Sequence, residues 1–351
     1  MRQKGGCLDR GISSSRDMNK RGQVTIFIIV GIFIVVAFAA ILYFTQTSIE
    51  QGVSTAAEPI IADVPQTFIP IQTYTENCLS QVGKQGLLLL GQQGGYIDPG
   101  VLGEFSVSDP TEGMGIDLSS VKVPYWYFNQ NRNDDRAIAL RSHRPELYAA
   151  DDPELSMEAQ LARYVKQQIS SCLNQYKPFQ QQGFAVTVSE PQKATVTITD
   201  ETVNFLLEMP VTAAKGESDV TLEQFYVRIP LRLKHYYDVA KGIAEAEQNM
   251  SFLEGQALDL IQTYAGVSPE KLPPTYDLRV SYAGIYWNVP NVKEKYQSLL
   301  SSYVPMLRYL GSANMFDYTF PVSDLSAVYQ ENYENTVIPL TGAEDLAVDF
   351  N

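Results

Sequence analysis

The sequence has few of the side chains that most often carry chemistry. It contains two histidines, His143 and His235, and three cysteines in 351 residues. The histidines share no metal-ligand spacing, and a zinc site takes several cysteine or histidine ligands together. No pattern of nucleophile and base surrounds either histidine. We therefore predict no catalytic, cofactor-binding or metal-binding residues and expect a non-enzymatic protein.

Long hydrophobic runs are also absent, with one exception. Residues 24–44 carry no charged side chain and, as a helix, would extend about 32 Å, one hydrocarbon thickness. No later stretch approaches the length needed to cross a bilayer. A single transmembrane helix is therefore predicted at residues 23–44, with the lipid bilayer as its partner.

No lysine or arginine occurs in residues 45–83, directly after this run. Six cations precede it, and the next one is Lys84. The positive-inside rule then predicts a cytoplasmic basic segment at residues 1–22, and places residues 45–351 outside the cell membrane. The formal charge is −14 in total and +4 over residues 1–22, hence −18 over the remainder. An acidic body of this size repels phosphate backbones, so we expect no nucleic-acid partner.

Secretory cleavage is the alternative to an anchor. It needs a shorter apolar region followed closely by a site of the A-x-A type. The only such triplet, Ala37-Phe38-Ala39, lies inside the apolar run, and Thr55-Ala56-Ala57 lies more than ten residues beyond it. The pattern therefore favours a retained, single-pass anchor.

A specific motif precedes the apolar run. Lys20-Arg21-Gly22-Gln23 resembles the class III signal of archaeal type IV pilins and related surface proteins. That resemblance implies a cut by a prepilin peptidase between Gly22 and Gln23, after which the helix packs into a filament core or stays in the membrane. Phe27 departs from the pilin pattern, in which Glu is common at this position. The departure argues against filament assembly more than against processing.

Two further stretches, residues 74–97 and 161–186, resemble a set of uncharacterised archaeal membrane-anchored surface proteins with the same kind of N-terminus. The resemblance covers about a quarter of the chain. It implies a cell-surface location and carries no known activity.

The remainder predicts an α+β ectodomain at residues 71–351, after a proline-containing stalk at residues 45–70. The ectodomain divides into a helical part, 71–183, and a part with a sheet and helices, 184–351. One helix is predicted from Ile71 to the glycines after Leu89. A second is predicted behind Asp152 as its N-cap, with Pro153 in the first turn.

From residue 184 the apolar residues recur every second position, which predicts an antiparallel sheet with a tight turn at Asp200-Glu201. Residues 231–265 predict one long or two shorter helices, 275–289 a strand, and 292–310 a helix with a kink or break at Pro305. Residues 344–350 predict a strand that stops abruptly, as expected of a piece of a longer protein.

An aromatic island, residues 124–136, allows two interpretations. Its rings could form a platform for carbohydrate or peptide, or they could pack inward beneath a long surface loop. Inward packing is the more common use of such rings, and we favour it here.

Cys78 and Cys172 both lie in the predicted ectodomain, whereas Cys7 lies in the cytoplasmic segment. Two cysteines in an oxidising compartment most simply pair, so we predict a disulfide; two buried free thiols are the alternative. Asn249-Met250-Ser251 matches a glycosylation sequon, which makes Asn249 a candidate acceptor outside the cell.

Three functional hypotheses follow. The first is an anchored cell-surface protein for adhesion, envelope structure or ligand capture. The second is a pilin-like filament subunit cleaved after Gly22, which would self-assemble or bind other envelope proteins. The third is an envelope enzyme that uses carboxylates not identifiable from the sequence.

Overall fold

The computed structural model describes residues 64–107, 113–130, 139–275, 284–315, 326–339 and 341–350. All of these belong to one compact unit that spans residues 56–351. Residues 1–63 lie outside the described residues. They include the predicted cytoplasmic segment, the predicted transmembrane helix at 23–44 and residues 45–63 of the predicted stalk. Among the helices in the described ranges, none combines the length and the apolar character required to cross a bilayer.

The helices of the described ranges are α1 (Ile69–Gln92), α2 (Met157–Leu173), α3 (Lys177–Gln180), α4 (Leu233–Met250), α5 (Phe252–Tyr264), α6 (Val289–Tyr303) and α7 (Ser326–Glu334). The strands are β1 (Gly115–Asp117), β2 (Lys122–Pro124), β3 (Tyr127–Asn129), β4 (Leu140–Ser142), β5 (Ala185–Val188), β6 (Lys193–Ile198), β7 (Thr202–Lys215), β8 (Ser218–Pro230), β9 (Arg308–Tyr309) and β10 (Val337–Ile338).

The main sheet is built around the long strand β7. Strand β8 pairs with β7 along one edge, and β5 and β6 share the other edge; all three pairings are antiparallel. The predicted tight turn joins β6 to β7, where the Thr199 amide donates to the Thr202 carbonyl over 2.9 Å. The predicted α+β class, with an antiparallel sheet and packed helices, is confirmed.

A β-bulge lies in the middle of β7. Met209 and Pro210 oppose a single residue of β8, Glu223, because the register shifts between Glu208 and Val211. Proline has no amide hydrogen for the ladder, so a central strand tolerates it at a bulge. The bulge also marks the place where β6 gives way to β5 along the same edge of β7.

One face of the sheet forms the core. The odd-numbered residues of β7 from Val203 to Ala213 are buried, and helices α1 and α2 pack over them. Glycines allow the close approach: a Cβ on Gly83 would lie 3.1 Å from Phe205, and one on Gly86 would lie 2.9 Å from Tyr164 of α2. The two predicted parts of the ectodomain therefore share one hydrophobic core.

The helix starts differ from the sequence-based boundaries. Helix α1 begins at Ile69, two residues early, because Pro70 fits a first turn; Phe68 before it is 1% exposed. Helix α2 begins at Met157 with Ser156 as its N-cap. The N-cap assigned to Asp152 is wrong: its carboxylate instead accepts from the amides of Glu154 and Leu155, which closes a separate turn.

Residues after the sheet show both agreement and corrections. Two helices, α4 and α5, meet at Ser251, whose φ of 48° ends the first helix. Helix α6 begins at Val289 and ends at Tyr303, before a 3₁₀ turn that contains Pro305. The helix predicted to residue 310 is therefore too long; strand β9 follows the turn instead and pairs in parallel with β10.

Two strands predicted near the C-terminal end differ in outcome: the strand at 275–289 falls mostly outside the described residues, and the strand at 344–350 is wrong. Residues 276–283 lie outside the described residues, and 284–288 are not in a strand. Residues 344–350 are irregular. The Asn314 side chain donates to the Val348 carbonyl and accepts from the Val348 amide. The Leu346 carbonyl accepts from the Ala313 amide, and the Leu346 amide donates to the Ala343 carbonyl. Leu346 and Val348 pack on a second, smaller core around Tyr309.

Candidate functional site

A disulfide ties the two core helices together. Cys78 of α1 and Cys172 of α2 are bonded, with Cα atoms 5.7 Å apart, inside the usual range for such bridges. Beside it, the hydroxyl of Tyr74 donates to the carbonyls of Cys172 and Leu173. The predicted pairing is confirmed, and the bridge holds α1 to the end of α2.

An aromatic cluster continues this contact. The Tyr74 ring lies 5.6 Å from that of Tyr176 and 5.3 Å from that of Phe179. The Tyr176 hydroxyl bonds to Thr75, and burial raises the pKa of Tyr176 to about 12. The hydroxyl therefore stays protonated and serves packing. The cluster therefore packs α1 against the residues that follow α2.

The aromatic island packs inward where it is described. The indole N–H of Trp126 donates to the Gly94 carbonyl over 2.8 Å, and its ring lies 5.7 Å from that of Tyr237. Phe128 lies 4.6 Å from the His143 ring, and desolvation lowers the pKa of His143. Residues 131–136 of the island lie outside the described residues. Trp126 and Phe128 therefore pack against neighbouring rings.

A concave pocket of about 340 Å³ opens between α4, α5 and the irregular segment 341–350. We call it the α4–α5 pocket. Its wall is apolar apart from one carboxylate, that of Glu247. The lining residues are Trp126, Ala240, Ile243, Ala244, Glu247, Leu253, Ile338 and Phe350.

Helical geometry explains the wall of this pocket. Ala240, Ile243, Ala244 and Glu247 recur at intervals of three and four, so they share one face of α4. The left-handed Ser251 then links α4 to α5. Across this link the Leu253 amide of α5 reaches Glu247 in the last turn of α4, and Leu253 adds to the wall of the pocket.

Glu247 is the perturbed carboxylate of this site. Burial, followed by a shared hydrogen bond with Glu254, raises the pKa of Glu247 to about 7. Opposing this, the amide of Leu253 donates to both Glu247 oxygens over 3.1 Å each. Glu247 therefore keeps its proton up to near neutral pH, because burial and a neighbouring carboxylate both disfavour its ionised form.

A carboxylic acid that titrates near neutrality can donate a proton, accept one, or pair with a cation. No lysine or arginine forms an ion pair with Glu247 or Glu254 in the part of the chain that the structure describes. The described ranges likewise hold no cluster of three His, Cys, Asp or Glu side chains that could bind a metal ion.

A second concavity differs in character. A shallow groove of about 470 Å³ runs between α1 and the end of β8, lined mainly by Leu87, Leu88, Ile229 and Leu231, with Lys84 at its side. The groove offers mainly apolar surface.

Among the described residues singled out from the sequence, Cys78 and Cys172 are bonded to each other. Gly22 and Gln23, the candidate processing site, lie outside the described residues. Asn249 is exposed in the last turn of α4, where a glycan would meet solvent, and its glycosylation stays a prediction. His235 bonds to Asp345, whereas the His143 ring lies against Phe128.

Sequence reasoning missed the carboxylate pair. The spacing of Ile243, Ala244 and Glu247 was a usable signal, because it places a charge on an otherwise apolar helix face. The partner Glu254 carried no such signal, since nothing in the sequence marks the break between α4 and α5 at Ser251. Comparisons of the chain with protein-family models, with curated proteins and with solved structures found no match.

Proposed function

We propose that the chain is a single-pass membrane protein whose disulfide-braced α+β body lies outside the cell and captures ligands. The Cys78–Cys172 bridge carries this proposal, because such bonds form and persist in oxidising compartments and are rare in the cytosol. The anchor is the charge-free run at residues 24–44, and the six cations before it set the orientation.

Topology is tested in cells that express the full chain. One epitope is placed before Met1 and another after Asn351, and each is probed before and after lysis. We expect the second epitope to be accessible on intact cells and the first only in lysates. Access to the first epitope alone on intact cells would contradict the proposal.

The redox state provides an independent test. Membrane-extracted chain should migrate faster without reductant than with it, and Cys78→Ser should remove the difference. Cys7→Ser is the matched control, since Cys7 belongs to the basic segment. Equal migration of the unaltered chain in both gels would mean free thiols and would withdraw support for an external body.

A pilin-like filament subunit is the second candidate, favoured by the Lys20-Arg21-Gly22-Gln23 motif. In this proposal a prepilin peptidase removes residues 1–22, and the helix at 23–44 packs into a filament core. Intact mass after membrane extraction tests the cut; Gly22→Trp should block it, and Gly11→Trp should not. Retention of residues 1–22 would rule out processing and filament together. Sedimentation and negative-stain microscopy test assembly itself.

An envelope enzyme is the third candidate, and the Glu247–Glu254 pair is the observation that favours it. The test is a panel of model glycosides and esters offered to the full chain and to Glu247→Gln. Turnover that the variant loses would support an enzyme. Equal, background rates for both proteins would favour capture without reaction.

A further inference from the structure

The lining of the α4–α5 pocket contains no cationic side chain to pair with Glu247. Glu247 is the one charged residue in the lining of the pocket, and a side-chain hydrogen bond with Glu254 is among the causes that raise the pKa of Glu247. Burial of a carboxylate in an apolar wall costs free energy unless a cation or several donors offset the cost. The donors supplied by this chain are the amides of Phe252 and Leu253.

Capping of α5 explains only part of this arrangement. Glu247 accepts from the first amides of α5, which have no partner within the helix, and Ser251 makes no side-chain cap there. A neutral Ser, Thr or Asn would cap the helix without burying a charge. The cap also gives no reason for a second carboxylate, Glu254, beside the first.

The size of the pocket limits what it can hold. An apolar cavity of about 150 Å³ is enough to bind benzene, and small-molecule pockets start at about 300 Å³. The α4–α5 pocket, at about 340 Å³, is therefore suited to a ligand with one ring or a short alkyl chain and a head group. Trp126 and Phe350 offer flat apolar surfaces to such a body.

We propose that the α4–α5 pocket binds a small cationic amine with an apolar body, and that Glu247 pairs with the ammonium group. An ammonium supplies the positive charge that the carboxylate pair lacks, whereas an anion would meet repulsion from both carboxylates. A neutral analogue gains only the apolar contacts. This inference names the ligand class for the capture function proposed above. It rests on that function only for the location, outside the cell, at which the ligand would be bound.

Binding is coupled to a proton. When the ammonium arrives, Glu247 must be ionised, so the proton held by the pair is released to solvent. The groups that face Glu247 are Glu254 and the two amides on α5; the facing residues from other elements, Trp126, Ile338 and Phe350, carry no charge. Amine affinity should therefore rise as pH increases from 5.5 to 8.

The test uses the full chain in detergent and three matched probes: 2-phenylethylamine, 2-phenylethanol and 3-phenylpropionate. Trp126 reports binding by fluorescence once Trp287, the other tryptophan, is replaced by Phe. We expect the amine to bind at least tenfold more tightly than the alcohol, and the propionate to bind least. Equal binding of amine and alcohol would overturn the proposal, as would no binding of the amine up to its solubility.

Two variants isolate the carboxylate. Glu247→Gln should remove the preference for the amine and its pH dependence. Glu245→Gln is the control, because Glu245 pairs with Lys241 on the same helix and does not line the pocket. Unchanged amine affinity in Glu247→Gln would contradict the proposal. Should that variant not fold, Ala244→Leu, which fills the pocket and keeps both carboxylates, must abolish amine binding.

The outcomes are separable from those of the topology test. If the amine does not bind, the proposal of an external, anchored body still stands. A body found in the cytoplasm would overturn the proposed function, but the pocket would still bind or not bind the amine in vitro.

Discussion

Oδ1 of Asp345 lies 2.9 Å from Nε2 of His235, a residue 110 positions earlier in the chain. The other carboxylate oxygen accepts from Arg232. These two contacts fasten the irregular segment 341–350 to the start of α4, beside the smaller core around Tyr309. A segment without regular secondary structure is thus held by side-chain contacts.

Asp345→Asn should loosen this segment. The Arg232 bond, followed by the His235 bond, lowers the pKa of Asp345 to about 2, so the carboxylate remains ionised at neutral pH. We expect the amides of Leu346 and Val348 to exchange hydrogen several-fold faster in the variant. Glu245→Gln is the control, and no change in exchange for Asp345→Asn would contradict the assignment.

The same contact predicts an acid transition. Because folding lowers the pKa of Asp345, the ionised carboxylate stabilises the folded segment fully above pH 3.8, the unfolded pKa. This contribution is lost as pH falls towards 2, the folded pKa. Exchange of these amides, corrected for the intrinsic rate, should rise over that interval in the unaltered chain. The Asp345→Asn variant should show no further rise there.

Glu247→Gln should change stability with the opposite pH dependence. The folded pKa of Glu247, about 7, lies above its ordinary value of 4.5, so the folded state binds the proton more tightly. Stability is then greatest below pH 4.5 and declines as pH rises through 7. At pH 8 the variant should be more stable by about 1 kcal/mol, a value reduced for solvent screening. Urea unfolding at pH 5 and pH 8 measures it; a variant that keeps the pH slope would contradict the assignment.

Loss of the disulfide should be costly. The bridge closes a loop of 94 residues, and the chain-entropy model gives about 4 to 5 kcal/mol for a loop of this length. The double variant Cys78→Ser, Cys172→Ser should lose about that much free energy of unfolding in urea. Reduction of the unaltered chain provides the comparison, and a loss below about 1 kcal/mol would mean that the denatured state is not constrained by the bridge.

Two glycines of α1 form a matched pair. A Cβ on Gly86 would lie 2.9 Å from Tyr164 and 3.1 Å from Leu161, whereas one on Gly91 would meet nothing within 4 Å. Gly86→Ala should destabilise by about 1 to 3 kcal/mol through overpacking. Gly91→Ala should stabilise by up to about 1 kcal/mol, because alanine favours the helix. Thermal unfolding of both variants checks the contrast; equal shifts would contradict the helix contact.

Local patterns predicted the parts of this fold that depend on local forces. Alternation along β7 and the helical spacing of α4 both follow from burial of one face, and the sequence displays them directly. The strand predicted at residues 344–350 was wrong because Leu346 and Val348 alternate like residues of a strand. Val348 instead bonds to the Asn314 side chain, and Leu346 bonds to the backbone of Ala313 and Ala343. The helix start at Ser156 was missed because Asp152 has the same capping chemistry and a proline behind it.

The candidate site was harder to foresee for a physical reason. Its wall lies on one helix and was visible in the spacing of Ala240, Ile243 and Ala244. Glu247 and Glu254 belong to two helices that are joined at Ser251, a non-glycine residue with a φ of 48°. No turn signal in the sequence predicts this link. Contacts such as His235 with Asp345 join distant parts of the chain and leave no local trace.

The bridge between α1 and α2 also has a mechanical consequence. A pull applied between residue 64 and residue 350 reaches Cys78 within the first helix and passes through sulfur to Cys172. The stretch between them, a sequence separation of 94 and about 320 Å of extended chain, cannot be drawn out while the bond is intact. A body tethered at one end, as proposed here, would keep that stretch slack under tension, and only the sheet and the segments after it would bear the load.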